Sequence, residues 1–129
     1  MTVHIDAGDS GALFTISGTV SNNATWDELI YFYENGAGLD ISGLSFQLQI
    51  RADALDTSAS ATLTTAAGDL VITNDDGGNP TILRINVPYT SLSALEGDYI
   101  VDLVSKDSSS VLVHWGNGLV NFRRSPIAF

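Results

Sequence analysis

The residues of this chain that are best suited to chemistry are carboxylates and amides in glycine-rich segments. The segment NDDGGNP, Asn74 to Pro80, groups oxygen ligands of the hard type that Ca²⁺ prefers. It lacks the alternating ligand spacing and the downstream bidentate glutamate of an EF-hand, and a hairpin loop accounts for the same residues. The segment DAGDSG, residues 6–11, has the same two interpretations. The sequence therefore predicts no cofactor and no metal site, with a calcium ion in the 74–80 loop left open.

Catalytic arrangements are equally hard to find in the sequence. His4 and His114 lie far apart and belong to no HxH or HExxH pattern, so they predict no zinc site. The serine segments ISGLS and TISGT lack the nucleophile elbow of a serine hydrolase. Asp27 and Glu28 are neighbours on a predicted strand, where adjacent side chains point to opposite faces and cannot flank one bond. Because the chain also has no cysteine, we expect a protein that is not an enzyme.

The charge balance argues against nucleic acid as a partner. Fifteen acidic residues oppose five basic ones, which gives a net charge of −10, and such a chain repels phosphate backbones. The basic pair Arg123-Arg124 is too small for a nucleic-acid footprint. No apolar run approaches the roughly 20 residues of a membrane span, and the N-terminus lacks the features of a signal peptide. We therefore expect no membrane contact, and a protein that is made in the cytoplasm and either stays there or leaves the cell as part of a particle.

Apolar and polar residues alternate along most of the chain, which predicts the strands that would carry any site. The clearest strands are residues 45–52, 81–88 and 98–105, and weaker ones are residues 12–20, 26–34, 61–65 and 69–75. Glycine, asparagine, aspartate and proline separate them, and no segment has a sustained helical stripe. At 129 residues the chain fits one domain. About seven to nine short strands predict an all-β sandwich or small barrel.

The segment SVLVHWGNGLVNFRR, residues 110–124, predicts a hairpin. Its turn would consist of Gly116, Asn117 and Gly118, because these residue types adopt the positive φ angles that a tight turn requires. The residues on either side would then pair as two antiparallel strands.

Tyr99 opens a strand directly after LEGD, residues 95–98. In immunoglobulin-like sandwiches a tyrosine at such a place turns its hydroxyl back to the backbone a few residues upstream. Leu95 would fill the base of this corner, and Gly97 would allow the close approach. The strand is predicted to turn Tyr99, Val101 and Leu103 inward and Asp98, Asp102 and Ser105 outward. We therefore interpret Tyr99 as a structural fastener.

The order of these motifs resembles the small immunoglobulin-like β-sandwich proteins of tailed-bacteriophage virions, in particular the N-terminal domain of upper baseplate proteins. The resemblance extends from about Trp26 to Phe122. The matching residues are Asn35, Gly36, Asp40, Ile41, Ser42, Gly43, Arg51, Gly97, Tyr99, Asp102, Gly116, Gly118, Val120 and Phe122. It implies an immunoglobulin-like antiparallel β-sandwich over residues 23–129.

The same resemblance implies a structural component of the virion, such as a tail, neck or baseplate adaptor. Its partners would be other virion proteins and copies of itself. A capsid decoration protein is an alternative within the same class. A carbohydrate-binding or adhesion module is an alternative from another class, and its candidate aromatic residues are Trp26, Tyr31, Tyr33 and Trp115.

Residues 1–22 precede the resemblance and are interpreted as an N-terminal arm or an extra strand. The strand-prone residues that would form assembly contacts are Val3, His4, Ile5, Leu13, Phe14 and Ile16. As an arm they would add a strand to a neighbouring subunit. As an extra strand they would belong to the sandwich of their own chain.

Overall fold

The strands of the computed structural model form two facing sheets. The structure describes residues 2–6, 14–53, 55–56 and 58–124. The first sheet contains β1 (Thr2–Asp6), β3 (Trp26–Glu34), β4 (Ala37–Gly38), β7 (Leu70–Asn74) and β8 (Pro80–Val87). The second sheet contains β2 (Phe14–Ser21), β5 (Ser45–Arg51), β6 (Ala61–Thr64), β9 (Gly97–Lys106) and β10 (Leu112–Arg123). A 3-10 turn, Tyr89–Ser91, follows β8 where the chain crosses between the sheets.

The strand order is that of a variable-type immunoglobulin sandwich. The first sheet runs β1-β3-β8-β7 and the second runs β2-β10-β9-β5-β6. The series β3-β8-β7 and β10-β9-β5-β6 correspond to the B-E-D and G-F-C-C′ strands of that fold. The predicted all-β sandwich is therefore confirmed, and the described residues contain nine strands besides the two-residue β4.

Two pairings depart from a fully antiparallel sandwich, and both involve the N-terminal strands. β1 lies parallel to β3, and β2 lies parallel to β10. The two strands thus occupy an edge of each sheet, and Ile5 and Val20 are buried in the core. Within this chain, the segment before the sandwich takes the place of two edge strands.

The core lies between the sheets and follows the period-two pattern of the sequence. In β5 the residues Phe46, Leu48 and Ile50 are buried, whereas the alternate residues are partly or fully exposed. The prediction that Ser105 faces solvent is wrong, because this residue is buried in register with Leu103 on the inner face of β9. Its hydroxyl accepts a hydrogen bond from the Trp115 indole N–H at 2.8 Å.

The predicted hairpin at Gly116–Gly118 is also wrong, because β10 continues through these residues without a turn. Both Gly116 and Gly118 pair with β9 on one side and β2 on the other. The chain instead reverses at residues 107–111, between β9 and β10. A β-bulge at Trp115 shifts the register between His114 and Gly116, and Gly116 is buried. Pairing on both sides outweighs the local turn preference of the Gly-Asn-Gly segment.

The described part of the chain contains no helix of the length and apolar character needed to span a membrane.

Candidate functional site

Three loops meet at one end of the sandwich, which we call the loop end. They are residues 35–44 after β3, residues 75–79 between β7 and β8, and residues 107–111 between β9 and β10. The Ile41 N–H donates to the Pro80 carbonyl at 2.9 Å, which holds the first loop to the start of β8, next to the second loop. The third loop lies beside the start of β5, because Ser45 pairs with Lys106. The two antiparallel hairpins and the β3–β5 connection therefore present one continuous surface.

Two of these loops have the same geometry, and an aspartate organises each one. In the first loop, Asp75 Oδ1 accepts hydrogen bonds from the Gly77 and Asn79 N–H groups at 2.9 and 3.0 Å. In the second, Asp107 Oδ1 accepts them from Ser109 and Val111 at 2.8 and 3.0 Å. Each loop has one residue at positive φ, and these residues are Gly78 (80°) and Ser110 (63°). Both are three-residue hairpin loops.

The carboxylate of Asp75 is held by the loop around it. Its second oxygen, Oδ2, accepts a hydrogen bond from the Thr81 hydroxyl at 2.9 Å. The backbone N–H of Asn79, the Thr81 hydroxyl and the backbone N–H of Gly77 lower the pKa of Asp75 below its usual range. Both carboxylate oxygens thus already accept hydrogen bonds from the protein, and these bonds stabilise the loop. Among the described residues, no group of three or more acidic or histidine side chains is placed to hold a metal ion.

The loop end exposes three consecutive apolar side chains. Val111, Leu112 and Val113 are 55%, 72% and 39% exposed. Leu112 also borders a cleft of about 310 Å³, whose other walls include Phe46 and Val104. An exposed apolar run beside a cleft is the type of surface at which protein interfaces form.

A second cleft, of about 380 Å³, opens where the first sheet reaches the loop end. We call it the tyrosine cleft. Tyr31 and Tyr33 line it from the outer face of β3, since they alternate with the core residues Ile30 and Phe32. The opposite wall is the 75–79 loop with its flanking residues, and the remaining lining residues are Gly38, Asn74, Thr81 and Ile82. The cleft therefore combines aromatic rings with amide and carboxylate groups.

The other two aromatic candidates for carbohydrate binding belong to the core. Trp26 is buried and packs edge-to-face on Phe122, with ring centroids 5.7 Å apart. Trp115 packs in the same way on Phe32, at 5.0 Å. Tyr31 and Tyr33, by contrast, line the tyrosine cleft.

The predicted corner residues come together at the opposite end of β9. The Tyr99 hydroxyl accepts a long hydrogen bond, 3.4 Å, from the Glu96 N–H, and its ring packs edge-to-face on Phe122 at 5.6 Å. Leu95 is buried, and Gly97 has a φ of +102°, a conformation that disfavours residues with a side chain. The Tyr99 side chain thus contacts the backbone three residues upstream and a core ring, and its role as a fastener stays a prediction.

Sequence reasoning missed a buried asparagine that holds this corner to the rest of the sandwich. The Asn22 side-chain amide donates to the Leu95 carbonyl at 2.8 Å, and its backbone N–H donates to the Arg123 carbonyl at 3.0 Å. Asn22 therefore ties the corner to the end of β10. No local sequence pattern indicates this contact, because the partner lies 73 residues away in sequence.

His114 and Arg51 both contact Asp102 on the outer face of the second sheet. His114 Nε2 lies 3.3 Å from Asp102 Oδ1, and Arg51 Nη1 lies 3.7 Å from Asp102 Oδ2. The three residues occupy adjacent strands β10, β9 and β5. Asp102 thus contacts side chains from both neighbouring strands on a face that is partly open to solvent.

Glu28 is the ionisable group of the described chain whose environment disfavours its charge. Burial raises the pKa of the Glu28 carboxyl, and the Trp26 indole N–H offsets this only in part. No hydrogen bond of normal geometry forms there, since the buried Trp26 Nε1 has no partner. The pKa of the neighbouring Asp27 is shifted downward. Two hydrogen bonds from Arg84, at 2.9 and 2.7 Å, stabilise its ionised carboxylate.

The residues proposed for an N-terminal arm fall into three groups. Val3, His4 and Ile5 lie in β1, and Ile5 is buried. Phe14 and Ile16 lie in β2, where they pair with Gly116 and Gly118 of β10. Leu13 lies outside the described residues. Both described segments pair inside this chain, as the extra-strand interpretation requires.

Comparison with solved structures finds this fold in a phage protein. The N-terminal domain of phage TP901-1 ORF48 matches with a TM-score of 0.54 and 10% sequence identity, over 96% of this chain and 100% of that chain. Murine CRIg matches with a TM-score of 0.31 and 12% identity, over 84% of this chain and 92% of that chain. The first likeness shows a shared fold, and the second is too distant to add to it. No family model and no curated protein matches the sequence.

Proposed function

We propose that this chain is a structural component of a tailed-phage virion, a tail, neck or baseplate adaptor that acts through protein contacts. The observation that carries the proposal is the end-to-end likeness of its fold to the N-terminal domain of phage TP901-1 ORF48. Because one fold serves many functions, the surface of the chain must supply the contacts. Its partners are other virion proteins and copies of itself, and it is located in the virion.

The loop end is the surface best suited to such a contact. Its apolar centre is Leu112, with Val111 and Val113 on either side. Five carboxylates belong to the loops and strand ends around it, against the single lysine Lys106; they are Glu34, Asp40, Asp75, Asp76 and Asp107. An apolar centre with a polar rim is the usual anatomy of an interface. The matching partner surface has an apolar pocket surrounded by basic groups.

The sheet edges offer a second type of contact between copies. β1 and β2 are edge strands, so the pairings that they make within one chain could also form by exchange between two chains. Exchange would use the same backbone hydrogen bonds and would leave each sandwich complete. The assembly role of residues 1–22 is therefore part of this proposal.

Purified particles provide the direct test. The chain should be detected by mass spectrometry in density-purified virions, and cross-links should join residues 106–113 to another virion protein. Leu112→Asp should keep a normal thermal melt and lose incorporation, because it places a charge at the apolar centre. Leu119→Asp is the matched control, since Leu119 is 60% exposed but lies further along β10.

Two results would overturn the proposal. One is the absence of the chain from particles produced by a phage that expresses it. The other is incorporation of the Leu112→Asp protein at the normal level, which would remove the loop end from the contact.

A further inference from the structure

The tyrosine cleft has the size and lining of a site for a small polar molecule. Its volume of about 380 Å³ lies at the lower end of the range for ligand pockets in proteins. Tyr31 and Tyr33 supply aromatic rings that combine an apolar face with a hydroxyl group. Asn74 and Asn79 supply amide donors and acceptors from the facing wall. A ligand that stacks on a ring while hydrogen-bonding at its edge would use both walls.

The charges around the cleft decide between neutral and anionic ligands. Asp75 and Asp76 line it, and none of the described lining residues is lysine, arginine or histidine. The carboxylate of Asp75 is ionised at neutral pH, because its pKa lies below the usual range. An anionic ligand would therefore meet negative charge without a compensating cation. A neutral polyhydroxylated ligand meets no such penalty.

The 75–79 loop gives the polar wall a defined shape. The Asp75 carboxylate accepts three hydrogen bonds from its own loop and Thr81, so the loop is held before any ligand arrives. A side chain at Gly77 would lie 3.2 Å from the Asn79 amide nitrogen, which shows that this amide folds back over the glycine. Such preorganisation lowers the entropic cost of binding.

We propose that the tyrosine cleft binds a neutral saccharide of one or two sugar units. The pyranose ring stacks on Tyr31 or Tyr33, and the side-chain amides of Asn74 and Asn79 bind its hydroxyl groups. The cleft shares Asp75 and Asp76 with the rim of the proposed interface, whereas the apolar centre of that interface is Leu112 of the second sheet. The inference does not rest on the assembly role, because sugar binding is tested at Tyr33 and assembly is tested at Leu112.

The test uses the full chain and neutral disaccharides of glucose, galactose, mannose and N-acetylglucosamine. Titration followed by ¹H–¹⁵N NMR should show at least one disaccharide shifting the amide signals of residues 31–33 and 74–79. Sialylated and sulfated sugars of the same size should give no shifts there. Tyr33→Ala should weaken binding by about tenfold or more, as truncation of an aromatic anchor does, whereas Tyr33→Phe should retain most of it.

Tyr89→Ala is the matched control, because Tyr89 is 52% exposed and lies away from the cleft in the 3-10 turn. It should leave binding unchanged. If no neutral disaccharide shifts the signals of the wild-type chain, or if the shifts lie elsewhere, the proposal is wrong. Because this titration uses the wild-type protein, its result does not depend on whether a variant folds. Normal particle incorporation of Tyr33→Ala would separate this site from the assembly function.

Discussion

Asp75 and Asp107 organise loops of one geometry, but the residues at the left-handed positions of these loops differ. Gly78 occupies the first position and Ser110 the second. A side chain at positive φ is strained, because Cβ approaches the following carbonyl oxygen. The 107–111 loop therefore stores strain that the 75–79 loop avoids, although both have the same hydrogen bonds.

Ser110→Gly should raise the free energy of unfolding by about 0.5 kcal/mol, since relief of strain exceeds the entropy that glycine adds to the unfolded chain. Gly78→Ser should lower it by a similar amount. Urea denaturation followed by far-UV circular dichroism measures both. Equal effects of the same sign from the two exchanges would contradict this account of the loops.

Glu28 makes the protein less stable as the pH rises. Its folded-state pKa is raised, so its contribution is fully present below the ordinary glutamate pKa of about 4.3. It is lost as the pH rises through the raised value. Glu28→Gln should therefore stabilise the protein at neutral pH and flatten this part of the pH profile. Asp27→Asn should instead destabilise the protein at neutral pH, because Arg84 lowers the Asp27 pKa and so stabilises the ionised carboxylate. Melting temperatures of the three proteins between about pH 4.5 and pH 8 would show whether the signs differ.

Tyr99 contributes mainly through its ring. Its hydroxyl accepts one long hydrogen bond from an exposed N–H, whereas the ring packs on Phe122 in the core. Tyr99→Phe should cost about 0.5–1 kcal/mol of unfolding free energy, and Tyr99→Ala should cost about 3 kcal/mol or more. Chemical denaturation of the two variants and the wild-type protein measures both costs. If Tyr99→Phe were as unstable as Tyr99→Ala, the hydroxyl and not the ring would provide most of the stabilisation by Tyr99.

At the scale of elements, local patterns predict the strands well and one turn badly. The predicted strand 26–34 coincides with β3, because its alternation reflects burial on one face. The dipeptide Asn-Gly occurs twice with different results. Asn35 and Gly36 adopt φ angles of 51° and 82° and form a two-residue hairpin turn. Asn117 and Gly118 lie inside β10, since strands on both sides pair with them.

The site could be predicted only where neighbouring residues in sequence create it. Tyr31 and Tyr33 share a face by strand geometry alone, so they are recognisable as a pair. Their proximity to the 75–79 loop depends on the pairing of β3 with β8, which joins segments about fifty residues apart. The apolar run at Val111–Val113 lies in the predicted hairpin, and its exposure could not be predicted, because alternation does not reveal where a sandwich ends. The composition of the cleft and the exposure of the apolar run therefore depend on long-range strand pairing, which the local sequence pattern does not give.

The N-terminal strands provide a prediction at this scale. Deletion of residues 1–21 removes the buried side chains of Ile5 and Val20 and uncovers the backbone edges of β3 and β10. The truncated chain should lose cooperative unfolding and aggregate through these edges. Size-exclusion chromatography and a thermal melt would show both effects. A truncated chain that stays folded and loses only its oligomer would show instead that β1 and β2 pair between copies.

For the molecule as a whole, the core is one cluster that extends from the loop end to the tyrosine corner. Two groups of aromatic rings lie in it. Trp115 contacts Phe32 and Phe46, which belong to different sheets. Trp26 contacts Phe122, which also contacts Tyr99, so this group likewise joins both sheets. The buried aliphatic residues between the groups belong to the same cluster.

A continuous core predicts that the two ends of the molecule unfold together. The chain has two tryptophans, so Trp26→Phe leaves a reporter at one end and Trp115→Phe leaves a reporter at the other. Trp115→Phe should be the more destabilising exchange, because it removes the hydrogen bond to the buried Ser105 hydroxyl, whereas Trp26 Nε1 has no partner to lose. In each variant the fluorescence and far-UV circular dichroism transitions in urea should nevertheless coincide. If the Trp115 signal changed at a lower urea concentration than the dichroism of the same protein, the loop end would be a separate unfolding unit and the single core would be disproved.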